Sequence, residues 1–284
     1  MTDPVADGVR AVLPLRMADG ARADLLLFRP AGVPRAALLW VPALGVSARH
    51  YEPLAQALAS LGIAVAVHEW RGHGSSDRRA GRRHNWGYQT LLTDDLPVSL
   101  AALTATFPDT PVLLGGHSLG GQLSTLLASI TEVPLRGIVL VASGAPYWRR
   151  FRPWVGLAYV AAPLLAHLVG RLPGRQIGFG GNEARGVIAD WARSGRTGRY
   201  AARGMSVDLE AALRGQRAPV LALRLGDDWL GPESSLLFLL DKMPGARRTV
   251  GVIGSDDLAG AKADHFAWMK MPARIAIRIG EWLD

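Results

Sequence analysis

Hydrophobic residues along this chain fall into short continuous runs that alternate with longer amphipathic stretches. The runs predict buried strands at residues 36–41, 63–67, 111–114, 137–141, 219–225 and 249–253, and a hairpin of 9–15 and 22–28. Helices are predicted at 47–61, 88–106, 122–128, 233–243 and roughly 265–283, with Pro97 kinking the second and Pro272 bending or delaying the last. This alternation predicts an α/β fold with a mostly parallel sheet covered by helices on both faces.

The alternation breaks at residues 146–205. This segment is rich in Trp, Pro, Gly and Arg and shows no clear strand, which predicts an insertion between core elements. Its apolar stretch 154–170 is interrupted by Pro163 and His167, and it falls short of the ~20 residues that a membrane span needs. A buried or cleft-covering cap helix is the favoured interpretation.

Composition narrows the class of protein. The chain has 284 residues, a length that allows one large domain with an insertion or two small domains. Of these residues 49% are hydrophobic, which is enough for a packed core. Because cysteine is absent, disulfides, a thiol nucleophile and cysteine metal sites are excluded. The acidic start, residues 1–7, lacks an apolar core and does not predict a secretory signal, so we expect a cytoplasmic location.

Arginine carries almost all of the net charge of +8. The arginines are scattered in small clusters, such as Arg78 to Arg83, Arg149 to Arg152 and Arg193 to Arg199. No nucleic-acid-binding module accompanies them, so a solvated basic surface is favoured over nucleic-acid binding.

One motif carries candidate chemistry. Residues 116–120 match G-x-S-x-G around Ser118, after an apolar run and before a stretch competent to form a helix. Strand, sharp turn and helix are the setting of a nucleophile elbow. Neighbouring chain passes so close to such an elbow that only residues without bulk fit two positions before and after the serine, here Gly116 and Gly120. A chain this rich in glycine contains the bare pattern by chance roughly once in five cases, so Ser118 needs partners.

Partners follow in the expected order. A serine nucleophile requires a histidine base oriented by an acid, each on a loop after a later strand. Asp228 follows the strand 219–225, and His265 comes after the strand 249–253 at the predicted start of the last helix. Asp227, Asp256 and Asp257 are alternative acids, and His73 and His84 are the rival bases.

Together these motifs resemble the α/β-hydrolase superfamily, in its serine-hydrolase branch of esterase, lysophospholipase and serine aminopeptidase-like proteins. Trp70 to Ser76 resembles the family's R-G-x-G-x-S loop, Asp228 to Pro232 its acid loop, and His265-Phe266 its terminal histidine. The resemblance runs from about residue 36 to the C-terminus, except for the insertion.

The resemblance implies an eight-stranded, mostly parallel sheet with helices on both faces. It implies a core of 1–145 and 206–284 with a helical cap at 146–205. The family's H-G-x-G loop is replaced here by residues 42–45, and the resemblance places the oxyanion hole at the backbone N–H groups of Leu44 and Leu119. Glu69 stands where the family usually has Asp, which we interpret as a structural variant.

The implied function is hydrolysis of a carboxylic ester by Ser118, His265 and Asp228 through an acyl-enzyme. Apolar cap residues favour an apolar acyl or alkyl group on the small-molecule substrate; these are Trp148, Trp154, Leu157, Tyr159, Leu164 and Leu165. Alternatives are a peptidase, thioesterase, acyltransferase or haloperoxidase with the same triad, or a non-catalytic ligand-binding protein. We expect no cofactor, no metal ion and no nucleic-acid partner. We expect a weak membrane-surface contact by residues 147–154. The oligomeric state is left open.

Overall fold

The computed structural model describes residues 9–284, so the expectation about a secretory signal, which concerns residues 1–7, lies outside the described residues. The strands are β1 (Val9–Arg16), β2 (Arg22–Arg29), β3 (Ala36–Val41), β4 (Ile63–Val67), β5 (Val112–His117), β6 (Leu135–Val141), β7 (Leu172–Pro173), β8 (Asn182–Glu183), β9 (Val220–Leu225) and β10 (Arg248–Ile253). Eight of them form one sheet in the order β1-β2-β4-β3-β5-β6-β9-β10. The pairs β1-β2 and β2-β4 are antiparallel and the other neighbours run parallel, which confirms the predicted sheet.

Burial explains why the central strands are continuous apolar runs. Every residue of β3, β4 and β5 is buried, because helices cover both faces of a mostly parallel sheet. Successive side chains alternate between two hydrophobic clusters: Leu39 belongs to one and Leu38 to the other.

Ten helices lie on these faces or in the segment 146–205 of the described chain. They are α1 (Glu52–Ser60), α2 (Tyr88–Thr90), α3 (Leu96–Thr106), α4 (Leu119–Ile130), α5 (Val155–Val169), α6 (Gly174–Ile177), α7 (Arg185–Thr197), α8 (Leu209–Gly215), α9 (Glu233–Leu240) and α10 (Ala273–Leu283). Side chains of α1 and α10 join one core cluster, and those of α3, α4, α8 and α9 join the other. The sheet is therefore enclosed between two helical layers.

Two predicted helices differ from the structure at a proline. The stretch 88–106 is helical throughout, but it contains a π-helical turn, Leu91–Asp95, between α2 and α3; this irregularity lies just before Pro97, which has no N–H to continue the i→i−4 ladder. The last helix, predicted at roughly 265–283 with Pro272 bending or delaying it, is delayed: α10 begins at Ala273, directly after Pro272. His265 therefore lies in a loop.

Smaller differences concern short elements. The helix predicted at 233–243 ends at Leu240, and α8 was not predicted at all. The expectation of no strand in 146–205 is also wrong, because β7 and β8 pair there antiparallel. Each has two residues, too few to show a periodic pattern in the sequence.

The segment 146–205 holds α5, β7, α6, β8 and α7, and none of its strands joins the main sheet. α5 packs on α7, with the rings of Tyr159 and Trp191 centred 4.6 Å apart. Within the described residues, no helix combines the length and apolar character needed to cross a membrane. We keep the division into a core of 1–145 and 206–284 and a cap of 146–205 as a proposal.

Candidate active site

Ser118 lies at the turn between β5 and α4. Its backbone has φ 53° and ψ −120°, in the left-handed half of conformational space that a residue with a side chain rarely occupies. The Ser118 N–H donates to the Val141 carbonyl at 3.1 Å, and its own carbonyl accepts from the Ser143 hydroxyl at 2.7 Å. The strained turn is thus fixed by β6 and the residues after it, as the nucleophile-elbow prediction requires.

Close backbone packing surrounds this turn. A Cβ atom at Gly120 would lie 2.0 Å from the Val41 carbonyl oxygen, and one at Gly116 would lie 2.5 Å from the same oxygen. Only glycine fits at either position, which is the physical reason for the G-x-S-x-G spacing. The contact also brings the loop that follows β3, residues 42–45, next to Ser118.

The structure brings His265 and Asp228 together. His265 Nδ1 donates to Asp228 Oδ2 at 2.7 Å, and Asp228 Oδ1 accepts from the N–H groups of Leu230 and Gly231 at 2.8 and 3.0 Å. Both side chains are buried. With Nδ1 committed to the carboxylate, Nε2 of the neutral ring is left as the proton acceptor.

The alternative acids and bases lie elsewhere. Asp227 is exposed and accepts from the Ala263 N–H at 3.1 Å, and Asp257 bonds the Gly254 N–H and Arg274. His73 pairs with Glu183 at 3.3 Å, and His84 is exposed. The pairing of Asp228 with His265 is therefore not shared by these rivals.

A cavity of about 530 Å³ joins the predicted site residues. Ser118, His265, Leu44 and Leu119 all line it. Among the hydrogen bonds of residues 9–284 there is none between the Ser118 hydroxyl and His265. Hydrogen bonds between a nucleophile and its base are commonly long or poorly aligned before substrate binds.

The predicted oxyanion donors are available. Neither the Leu44 N–H nor the Leu119 N–H donates to another group of the described chain. The Leu119 N–H is the first of α4, and such a group has no partner within its own helix. An oxyanion hole requires two fixed backbone donors beside the serine nucleophile, and these two N–H groups are the candidates for that role.

A buried network fixes the loop that carries Leu44. The Tyr51 hydroxyl accepts from the Ala43 N–H at 2.9 Å and lies 2.8 Å from His117 Nδ1, to which it donates its only proton. Burial lowers the pKa of His117 well below its usual range, and nearby His265 adds to the effect. His117 is therefore neutral and acts as the acceptor for Tyr51.

The sequence alone does not reveal this network. Tyr51 and His117 are 66 positions apart, and no local pattern relates them. The ring of His117 is centred 4.8 Å from that of His265, so the network also forms one wall behind the predicted base.

The segment 146–205 touches the same loop from the other side. A Cβ atom at Gly45 would lie 2.1 Å from the Gly181 backbone nitrogen. Glu183 accepts from the Gly181 N–H at 2.7 Å and pairs with the buried His73. The turn 178–183 is thereby held against the residue that follows Leu44.

The roof of the cavity is apolar. Among the six apolar residues that the sequence assigned to the cap, Trp154, Tyr159 and Leu165 line the cavity, whereas Trp148, Leu157 and Leu164 do not. Leu157 and Leu164 lie instead on the exposed outer side of α5, which is apolar on both faces. In residues 9–284, no group of three acidic or histidine side chains is placed to hold a metal ion.

Comparison with known proteins identifies the family to which the chain is similar. A family model described as serine aminopeptidase, S33, matches residues 32–250. Monoglyceride lipase from Rattus norvegicus and from Homo sapiens are each 30% identical over 125 residues, which is 44% of this chain and 40% of theirs. The match thus spans well under half the length of these relatives.

Two solved structures share the fold over nearly the whole chain. The esterase domain of a Rhodothermus marinus protein has a TM-score of 0.64 at 18% identity, covering 96% of this chain and 97% of its own. A thermostable carboxyl esterase from Bacillus coagulans has a TM-score of 0.66 at 15% identity, covering 97% and 98%.

The neutral state of His117 predicts how stability depends on pH. In the unfolded chain a histidine takes up a proton below about pH 6.5, whereas folded His117 does not, so stability falls as pH decreases. His117→Asn keeps an acceptor for Tyr51 and cannot titrate. Between pH 6 and pH 5 we expect the free energy of unfolding of the wild type to fall by about 1.2 kcal/mol more than that of this variant, measured by urea unfolding.

His50→Asn is the matched control, because His50 is exposed and its surroundings change little on unfolding. This control should keep the wild-type slope. Identical slopes for the wild type and His117→Asn would contradict a neutral, buried His117.

Proposed function

Because the chain belongs to the serine aminopeptidase S33 family of the α/β-hydrolase superfamily, we propose that it hydrolyses carboxylic esters that carry an apolar acyl or alkyl group. One observation carries the proposal. Ser118 and His265 open into a cavity whose other lining is apolar apart from Gln122. A nucleophile and a base at the floor of an apolar cavity suit an uncharged, apolar substrate.

The proposed mechanism follows from the positions of the groups. As the Ser118 oxygen attacks the ester carbonyl, His265 Nε2 takes its proton, and Asp228 stabilises the resulting imidazolium. The N–H groups of Leu44 and Leu119 receive the oxyanion. The C–O bond then breaks, His265 returns the proton to the leaving alcohol, and an acyl-enzyme remains on Ser118.

Water completes the cycle. It attacks the acyl carbonyl while His265 again accepts a proton, and the Ser118 oxygen leaves with that proton as the carboxylic acid is released.

An aminopeptidase reaction is the alternative that the family's name suggests. Binding the free amino terminus of a peptide calls for an acidic partner, because a buried ammonium group needs a counter-charge. No Asp or Glu side chain lines the cavity within the described residues. The apolar lining, and relatives that are monoglyceride lipases, therefore support an ester substrate over a peptide.

The triad proposal is tested with four variants. Asp228→Asn should lower kcat for a short p-nitrophenyl ester about 10⁴-fold, because the amide holds the wrong tautomer of His265. Ser118→Ala should lower kcat at least as far, since it removes the attacking oxygen. Steady-state kinetics give both values.

Matched controls come from neighbouring residues. Asp227→Asn changes the exposed carboxylate next in sequence, and Ser129→Ala removes a hydroxyl that bonds the Thr125 carbonyl on α4. Both should stay within about threefold of the wild type, as is usual for substitutions away from a reacting centre. Equal losses in Asp227→Asn and Asp228→Asn would refute the assignment of the acid.

The place of the apolar group is tested by filling the cavity. Ala162 on α5 lines it, and Ala162→Phe should lower kcat/KM for p-nitrophenyl decanoate relative to the acetate about tenfold or more. Excluding two methylenes alone removes about 1.6 kcal/mol of binding. Ala189→Phe, on an exposed position of α7 outside the cavity lining, should leave the ratio as it is in the wild type.

If Ala162→Phe and Ala189→Phe give the same ratio, the apolar group does not occupy the space beneath α5. If the wild type cleaves aminoacyl p-nitroanilides faster than any ester, the family's peptidase chemistry is the correct one.

A further inference from the structure

The outer face of α5 is an exposed apolar surface. Leu157, Val160, Leu164 and Leu168 are 72%, 58%, 59% and 61% exposed. At 3.6 residues per turn these four side chains fall within an arc of about 80°. We call them the outer face of α5.

The opposite side of α5 is buried. Val155, Tyr159 and Ala166 pack toward α7 and the segment around it. The 15 residues of α5 include no Asp, Glu, Lys or Arg. A helix that is apolar all round is ordinarily covered on every side, so a helix with one open apolar face implies a partner that is absent here.

Charge indicates the chemistry of that partner. Between residues 146 and 182 the sequence has no acidic residue and five arginines: Arg149, Arg150, Arg152, Arg171 and Arg175. At one end of α5, Arg82 donates to the Leu168 carbonyl at 2.8 Å. At the other end, Arg196 donates to the Tyr159 carbonyl at 2.6 Å and shares a groove with Leu157.

We propose that the outer face of α5 docks on the surface of an anionic lipid bilayer. At 15 residues α5 is about 22 Å long, too short to cross the ~30 Å hydrocarbon core, so it lies in the plane of the interface. Its aliphatic side chains enter the headgroup boundary, and arginines at both ends meet lipid phosphates. Basic side chains close to an anionic membrane surface are attracted to it, and added salt screens this attraction.

The proposal moves the membrane contact expected from residues 147–154 onto α5 itself. Trp154, directly before α5, is half exposed and also lines the cavity. Its ring is centred 5.5 Å from that of Trp229, which is exposed and lines the cavity too. Docking therefore brings the cavity opening near the bilayer, where an apolar substrate would be dissolved.

A second copy of the chain is the competing occupant. A two-fold contact through the outer face of α5 would place the arginines of the two copies against each other, with no acidic residue in 146–182 to offset them. The phosphates of an anionic bilayer supply the counter-charge that a second copy lacks.

The test is co-sedimentation of the full chain with vesicles of phosphatidylcholine and phosphatidylglycerol in equal parts, at low salt. We expect the wild type to bind these anionic vesicles at least about tenfold more tightly than vesicles of pure phosphatidylcholine. Raising the salt concentration should weaken its binding to the anionic vesicles. The double variant Val160→Gln/Leu164→Gln should weaken binding to the anionic vesicles about tenfold or more, because it removes two aliphatic groups without adding charge.

Val33→Gln/Val252→Gln is the matched control, since both positions are exposed and lie outside 146–205. It should bind within about twofold of the wild type, and thermal unfolding checks that each variant is folded. Equal binding by both double variants, or no binding of the wild type to anionic vesicles, would overturn the proposal. A wild-type dimer that Val160→Gln/Leu164→Gln dissociates, seen by light scattering, would also overturn it.

This result does not depend on catalysis. Vesicle binding is read without substrate, so loss of ester hydrolysis and loss of docking are separate outcomes.

Discussion

The arrangement of the site depends on one close contact between backbones. The carbonyl of Val41, at the end of β3, lies where side chains at Gly116 and Gly120 would have to be. Because those side chains are absent, β5 turns sharply into α4 and Ser118 is held at φ 53°. The same contact sets the loop of Leu44 beside the first N–H of α4. Packing of the main chain thus brings together the proposed nucleophile and its two proposed backbone donors.

Two neighbouring histidines show how environment separates roles. His117 and His265 have ring centres 4.8 Å apart. His117 accepts from Tyr51 in a fully enclosed position, where burial lowers its pKa, and it serves to tie β5 to Ala43. His265 donates to Asp228 and lines the cavity. The first stabilises the loop of the proposed oxyanion hole, and the second is the proposed base.

The sequence predicted the parts of this architecture that local pattern controls. Continuous apolar runs located the central strands, and the order of Ser118, Asp228 and His265 anticipated the pairing of the last two. It could not predict contacts between distant residues, such as Tyr51 with His117 or Glu183 with His73. Nor could it orient α5: because α5 is apolar on both sides, periodicity does not separate Leu164 on the outer face from Leu165 in the cavity.

The central claim is that Ser118 is a nucleophile, and covalent labelling tests it most directly. A fluorophosphonate reacts with an activated serine and with few ordinary hydroxyl groups. After incubation, tryptic mapping by mass spectrometry should place one adduct on the peptide that contains Ser118. The label should disappear in Ser118→Ala and persist in Ser129→Ala. Absence of labelling in the wild type, or equal labelling of Ser118→Ala, would contradict the account.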